Sequence, residues 1–169
     1  MDKKAIGQMQ LPLFDDIQPQ QTSALLACLQ GCTRTYDKGE YIFLDEDPID
    51  RVGVVLSGTV HMLKEDVWGN KTILTRMGKN ELFGETFACG DDNRSVVTVI
   101  APEETEVLFI PFHKMMHTCT HACVFHQRMV ENMVLLQDYH LAFLVRADMI
   151  AGAAKHCIHI ASFNAVKEG

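Results

Sequence analysis

Between Cys32 and Phe112 the chain seldom runs far before meeting a residue that breaks regular structure. Glycines stand at 39, 53, 58, 69, 78, 84 and 90, with Asp45-Glu46-Asp47-Pro48 and Pro102-Glu103-Glu104 as further interruptions. The apolar runs between them are short: Tyr41 to Leu44, Val52 to Leu56, Val60 to Lys64, Thr72 to Met77, Val96 to Ala101 and Val107 to Ile110. Ser57-Gly58 and Trp68-Gly69-Asn70 read as the turns of hairpins. Short, evenly spaced strands bury a shared interior only by closing into a sandwich or a roll. A β-roll over this stretch is therefore expected, with no long helix between 50 and 80.

Both flanks read as helical. After Leu11-Pro12-Leu13-Phe14, a helix start is predicted at Gln18-Pro19, because the missing N–H of proline is harmless in a first turn. Leu25, Leu26 and Leu29 give that helix an apolar face, and Gly31 is the expected cap. After Pro111 the pattern turns helical and remains so. A 4-3 spacing picks out Met129, Met133, Leu136, His140, Phe143, Ala147 and Ile150, of which only His140 is not apolar. Such a stripe is either the seam between two copies or the face by which a helix lies along its own domain. No Pro or Gly occurs from Phe125 to Ile150, and a helix that long overhangs a small roll, which favours a homodimer seam.

Composition narrows the function. The chain has 169 residues, 47% of them hydrophobic, and carries a formal charge of −7. Nothing in its 15 Lys and Arg clusters into a face for nucleic acid; the longest run is Lys3-Lys4. Leu141 to Val145 is too short to span a bilayer, and no apolar segment follows Met1-Asp2-Lys3-Lys4 as a secretory leader would require. A cytoplasmic protein without a membrane partner is expected, and its six cysteines are then expected to be reduced.

Leu82-Phe83-Gly84-Glu85, followed by Arg94-Ser95, resembles the phosphate-binding cassette of cyclic-nucleotide-binding domains. The order around it is similar to that family as well: a leading helix, Lys38-Gly39-Glu40 before a strand, Ser57-Gly58 between strands, the cassette, then a long helix. The chain is identified by this pattern as a Crp/Fnr-type regulator. The resemblance implies a mainly β fold, a double-stranded β-helix or jelly roll of the cyclic-nucleotide-binding type, followed by a long dimerisation helix. It divides the chain into a helical lead-in (1–31), an effector-sensing roll (32–124), a dimerisation helix (125–150) and the remnant or start of a DNA-binding domain (151–169).

The resemblance implies a ligand site at Phe83, Gly84, Glu85, Thr86, Arg94 and Ser95 for a small anionic effector, a cyclic nucleotide such as cyclic AMP being the candidate. A cyclic phosphate diester calls for oriented N–H groups, which a glycine backbone presents at close range, and for a guanidinium fork. In those terms Gly84 and Arg94 hold the phosphate, Ser95 adds a hydroxyl, and Glu85 accepts from the ribose 2′-hydroxyl. A competing possibility leaves Arg94 as a surface residue beside Asp91 and Asp92. One departure stands out: members that bind cyclic AMP place a Thr-Ser pair on the long helix, where this chain has Met133-Val134-Leu135-Leu136.

His113, His117, Cys119, His121, Cys123 and His126 form a second cluster. Continued as a helix, it stacks the first, second and fourth of these on one face, so a redox or metal sensor on the same fold is the alternative reading. A helical elbow without metal accounts for the same residues. An enzyme is not expected: a metal-dependent jelly-roll enzyme needs several histidines on its strands, and His61 is the sole one between 33 and 112. Ala151 to Gly169 holds no arginine and no recognition helix, so DNA contact is expected only through a domain that this chain lacks.

Overall fold

The computed structural model describes residue 6 and residues 11–66, 68–89, 93–117 and 124–146, with side chains of the last segment described for 125–136. Eight strands carry the domain: β1 (Cys32–Tyr36), β2 (Tyr41–Phe43), β3 (Arg51–Ser57), β4 (Val60–Glu65), β5 (Lys71–Met77), β6 (Leu82–Phe83), β7 (Thr98–Ile100) and β8 (Thr105–Pro111). They pair antiparallel into two four-stranded sheets, ordered β1-β8-β3-β6 and β2-β7-β4-β5. A roll was expected here, and a roll is what forms.

Strands β3 and β8 of the first sheet are apolar on both faces. Successive strand residues point to opposite sides, so Val52, Val54, Leu56, Leu108 and Ile110 face a helical layer. Val55, Val107 and Phe109 face the roll interior with Phe43, Met62, Met77, Phe83, Val97 and Val99. The near-continuous runs of β3 and β8 are the sequence trace of this double burial. Gly53 pairs with Phe83 across β3 and β6. A Cβ at Gly53 would lie 2.4 Å from the Phe83 ring, so only glycine lets that ring lie flat on the strand. Phe83 is fully buried and meets Phe43 and Phe109 at centroid separations of 5.8 and 6.3 Å.

The helical layer begins with a single 3-10 turn at Pro12–Phe14 and continues in α1 (Pro19–Cys28). Gln18 caps α1 in a capping box with Gln21, and Pro19 occupies the first turn as expected. The C-terminal cap differs from expectation. Gln30, not Gly31, takes the left-handed conformation (φ 58°). The N–H groups of Gln30 and Gly31 donate to the carbonyls of Ala27 and Leu26, a Schellman closure with glycine one place further on. Gly31 is instead a site of close approach, since a Cβ there would sit 3.1 Å from the Leu26 side chain.

Three helices follow the strands' order: α2 (Glu85–Ala88) after β6, then α3 (Phe112–Met116) and α4 (Val124–Arg146) after β8. The uninterrupted helix expected after Pro111 is broken. His117 is extended (φ −102°, ψ 113°), so it does not continue the face that carries His113. α4 packs against the helical layer that covers the first sheet. Met129 and Met133 are buried there in their own chain's core, with Leu13, Phe14 and Leu25. Asn132 fastens α4 to the lead-in turn, donating to the carbonyls of Leu13 (3.2 Å) and Asp15 (2.9 Å). Leu136 is half-buried, whereas Leu135 is 63% exposed. The first part of the 4-3 stripe therefore faces its own domain. The side chains of His140 and Phe143, and all of Ala147 and Ile150, lie outside the described residues.

Candidate ligand-binding site

β5 is an edge strand of one sheet and β6 an edge strand of the other. Between them, and reaching Pro12 and Leu136, lies a cavity of about 510 Å³, within the range of small-molecule sites. Thr75 and Met77 enter it from alternate positions of β5, Met62 from β4, and Leu82 and Phe83 from β6. The cassette supplies the opposite wall through Gly84, Glu85, Thr86 and Phe87, and Lys79, Asn80 and Glu81 line it from the β5–β6 turn.

The cassette's geometry follows from one backbone requirement. Gly84 is left-handed (φ 85°, ψ −11°) at the start of α2, a conformation that glycine adopts without penalty. A Cβ there would also stand 3.3 Å from the Arg51 carbonyl. Glu85 is 3% exposed and accepts from the Thr86 hydroxyl at 3.3 Å. A carboxylate this enclosed is unfavourable unless donors meet it, and its place in the cavity wall offers it to a ligand's hydroxyls.

The second half of the expected site lies elsewhere. Arg94 pairs with Pro48 as an isolated bridge, and its guanidinium donates to the Glu46 carbonyl at 2.7 Å on the exposed surface. Ser95 is fully buried, its hydroxyl donating to the Val97 carbonyl and its N–H to the Asp47 carbonyl. Neither residue lines the cavity. Of the six expected ligand residues, then, Phe83, Gly84, Glu85 and Thr86 converge, and Arg94 and Ser95 stitch the loop to the 46–49 turn. Asp91 and Asp92 lie outside the described residues. Sequence reasoning passed over Met62, Thr75, Met77, Lys79 and Phe87; the alternation of Thr75 and Met77 into the turn before the cassette is the signal that could have marked that wall.

Residues 33–122, more than half of the chain, match the cyclic nucleotide-binding domain family. The chain belongs to that family. As a cyclic nucleotide-binding domain it is 32% identical over 97 residues to the Cyclic AMP receptor protein of Thermus thermophilus, covering 57% of this chain and 44% of that protein. It thus spans less than half the length of the curated relatives it matches. Among solved structures, a cyclic nucleotide-binding domain from Methylobacillus flagellatus superposes with a TM-score of 0.71 at 12% identity, covering 83% of this chain and 81% of the other. The sensor domain of the transcriptional regulator DNR from Pseudomonas aeruginosa gives 0.59 at 23% identity, covering 90% and 98%. These likenesses fix the fold as the jelly roll of Crp/Fnr-type proteins.

The second cluster is only partly within the described residues, since 118–123 fall outside them. His113 and His117 are exposed, and His126 is buried with its Nε2 against the Met115 carbonyl. Among the described residues no three metal-ligating side chains come together. Cys28 and Cys32 are free thiols. Among the described residues no helix is long and apolar enough to cross a membrane.

Proposed function

We propose that this chain is the effector-sensing and dimerisation module of a Crp/Fnr-type transcription regulator, non-enzymatic and cytoplasmic, reaching DNA through a domain outside this sequence. The observation that carries this reading is the cavity: the cassette Phe83–Phe87 forms one wall, and Leu136 of the long helix closes another. A small anionic effector seated there touches both the roll and the helix. It can shift a dimer between two arrangements to the extent that it binds one of them better. A cyclic nucleotide is the first candidate, with Glu85 accepting from its ribose hydroxyl. Arg94 gives one N–H to the Glu46 carbonyl and keeps further donors for the nucleotide's phosphate.

A thermal-shift panel of cyclic nucleotides tests the reading. A cognate nucleotide raises the melting temperature, Arg94→Ala weakens its binding by about 2–5 kcal/mol, and Glu85→Gln weakens it only if the ligand carries the ribose hydroxyl. Absence of any shift across cyclic nucleotides and organic anions rejects the effector role. Dimer contact falls to the part of the stripe beyond Leu136, because Met129 and Met133 are enclosed by their own chain. Phe143→Glu therefore gives a monomer by light scattering; a folded variant that remains dimeric rejects that seam.

A further inference from the structure

We infer that Lys79, rather than Arg94, is the anion partner in the cavity, and that its effector is an organic monoanion with an apolar body. The inference rests on the effector-module reading above and specifies its ligand. Lys79 is the single basic side chain lining the cavity among the described residues, and it is exposed, which places it at the mouth. Among those residues no hydrogen bond or ion pair engages its ammonium. Glu81, the nearest carboxylate in sequence, accepts the Gly78 N–H through Oε2 and, among the described residues, forms no ion pair with Lys79.

That turn is rigid. Asn80 N–H donates to the Val55 carbonyl at 2.8 Å, and Val55 N–H donates back to the Glu81 carbonyl at 3.0 Å. Lys79 therefore projects from a turn whose next two residues, Asn80 and Glu81, are hydrogen-bonded to β3, with mainly its own stem to order when an anion arrives. Arg94, by contrast, does not line the cavity, and one of its N–H groups is held by the Glu46 carbonyl at the exposed surface.

The rest of the lining selects the ligand's body and charge. Pro12, Met62, Met77, Leu82, Phe87 and Leu136 offer mainly apolar contact. Glu81 and Glu85 set two carboxylates against one ammonium, so a second negative charge on the ligand would be repelled. A single anionic group at the mouth, with an aromatic or alicyclic body inside, satisfies both constraints.

Two fluorescent probes sharing an anilinonaphthalene body test this: 8-anilinonaphthalene-1-sulfonate and the neutral N-phenyl-1-naphthylamine. With the full chain, the sulfonate is expected to bind about tenfold or more tightly than the neutral probe, the size of a charge-assisted contact. Lys79→Met, which keeps the apolar stem, should erase that difference without weakening the neutral probe. Thr75→Trp, which fills the cavity, should abolish both while thermal melting confirms the fold. Sulfonate binding that survives Lys79→Met overturns the inference. If it falls instead with Arg94→Ala, or if a cyclic nucleotide binds through Arg94 while neither probe enters, the effector module stands and the Lys79 assignment alone is lost. Binding of no probe and no cyclic nucleotide removes both.

Discussion

The two sheets of the roll have the same number of strands but live in different solvents. In the sheet β1-β8-β3-β6, strands β8, β3 and β6 are covered twice, by the helical layer outside and the roll interior within. The sheet β2-β7-β4-β5 is covered once, and its outer face carries Tyr41, Lys71 and Ile73 in the open. The difference divides the labour. A strand packed on both sides has little freedom to move, so it can anchor the β5–β6 turn through Val55 and seat Phe83 on Gly53. A sheet with one free face can lend a cavity wall and change shape without breaking the core.

The sharpest test compares one residue type in the two settings. Ile110 of β8 is fully buried, and Ile110→Ala should cost about 2–5 kcal/mol of unfolding free energy in urea. Ile73 of β5 is 42% exposed, and Ile73→Ala should change stability by roughly 0.5 kcal/mol or less. Equal losses would mean that the second sheet is as constrained as the first. Gly53→Ala probes the junction. Its methyl group would press on the Phe83 ring, and overpacking of this kind destabilises by about 1–3 kcal/mol. Urea midpoints unchanged by that substitution would show the ring free to withdraw, contrary to a rigid anchor.

The smallest effect belongs to the outer face of the second sheet. Burial pushes the pKa of His61 below its ordinary value, helped by the positive charge of Arg76 and opposed by Glu103. The folded chain therefore binds a proton at His61 less readily than the unfolded one. Its contribution is present above the unfolded pKa of roughly 6.5 and is lost as pH falls below that value and through the lower folded pKa. His61→Gln should flatten the pH dependence of the melting temperature between pH 7 and 5 slightly, and an identical slope in the variant would rule out His61 as a contributor.

Much of this architecture was readable before any coordinates. Pro19 behind Gln18, the Ser57-Gly58 and Trp68-Gly69-Asn70 turns, and the unbroken apolar runs of β3 and β8 are local signals, and each sits where the spacing placed it. The candidate site was half legible. Phe83 to Thr86 share a short stretch whose glycine forces the bend, so their convergence is a local matter. Arg94 and Ser95 were assigned by resemblance, and their places depend on the loop's ladder with Glu46, Asp47 and Pro48, far away in sequence.

The sequence alone determined the alternation of strand and turn, the change to helix after Pro111, the acidic surface and the cassette's bend. These follow from neighbours a few residues apart, through backbone sterics and the period of apolar positions. Only the tertiary structure decided which edges meet to make a cavity, that Met129 and Met133 face their own domain, and that Lys79 lines the cavity while Arg94 lies outside it. A stripe or a charge in the sequence has no address until packing assigns one. Burial of apolar surface, summed over the two sheets and the helical layer, chooses among arrangements that local preferences leave equal.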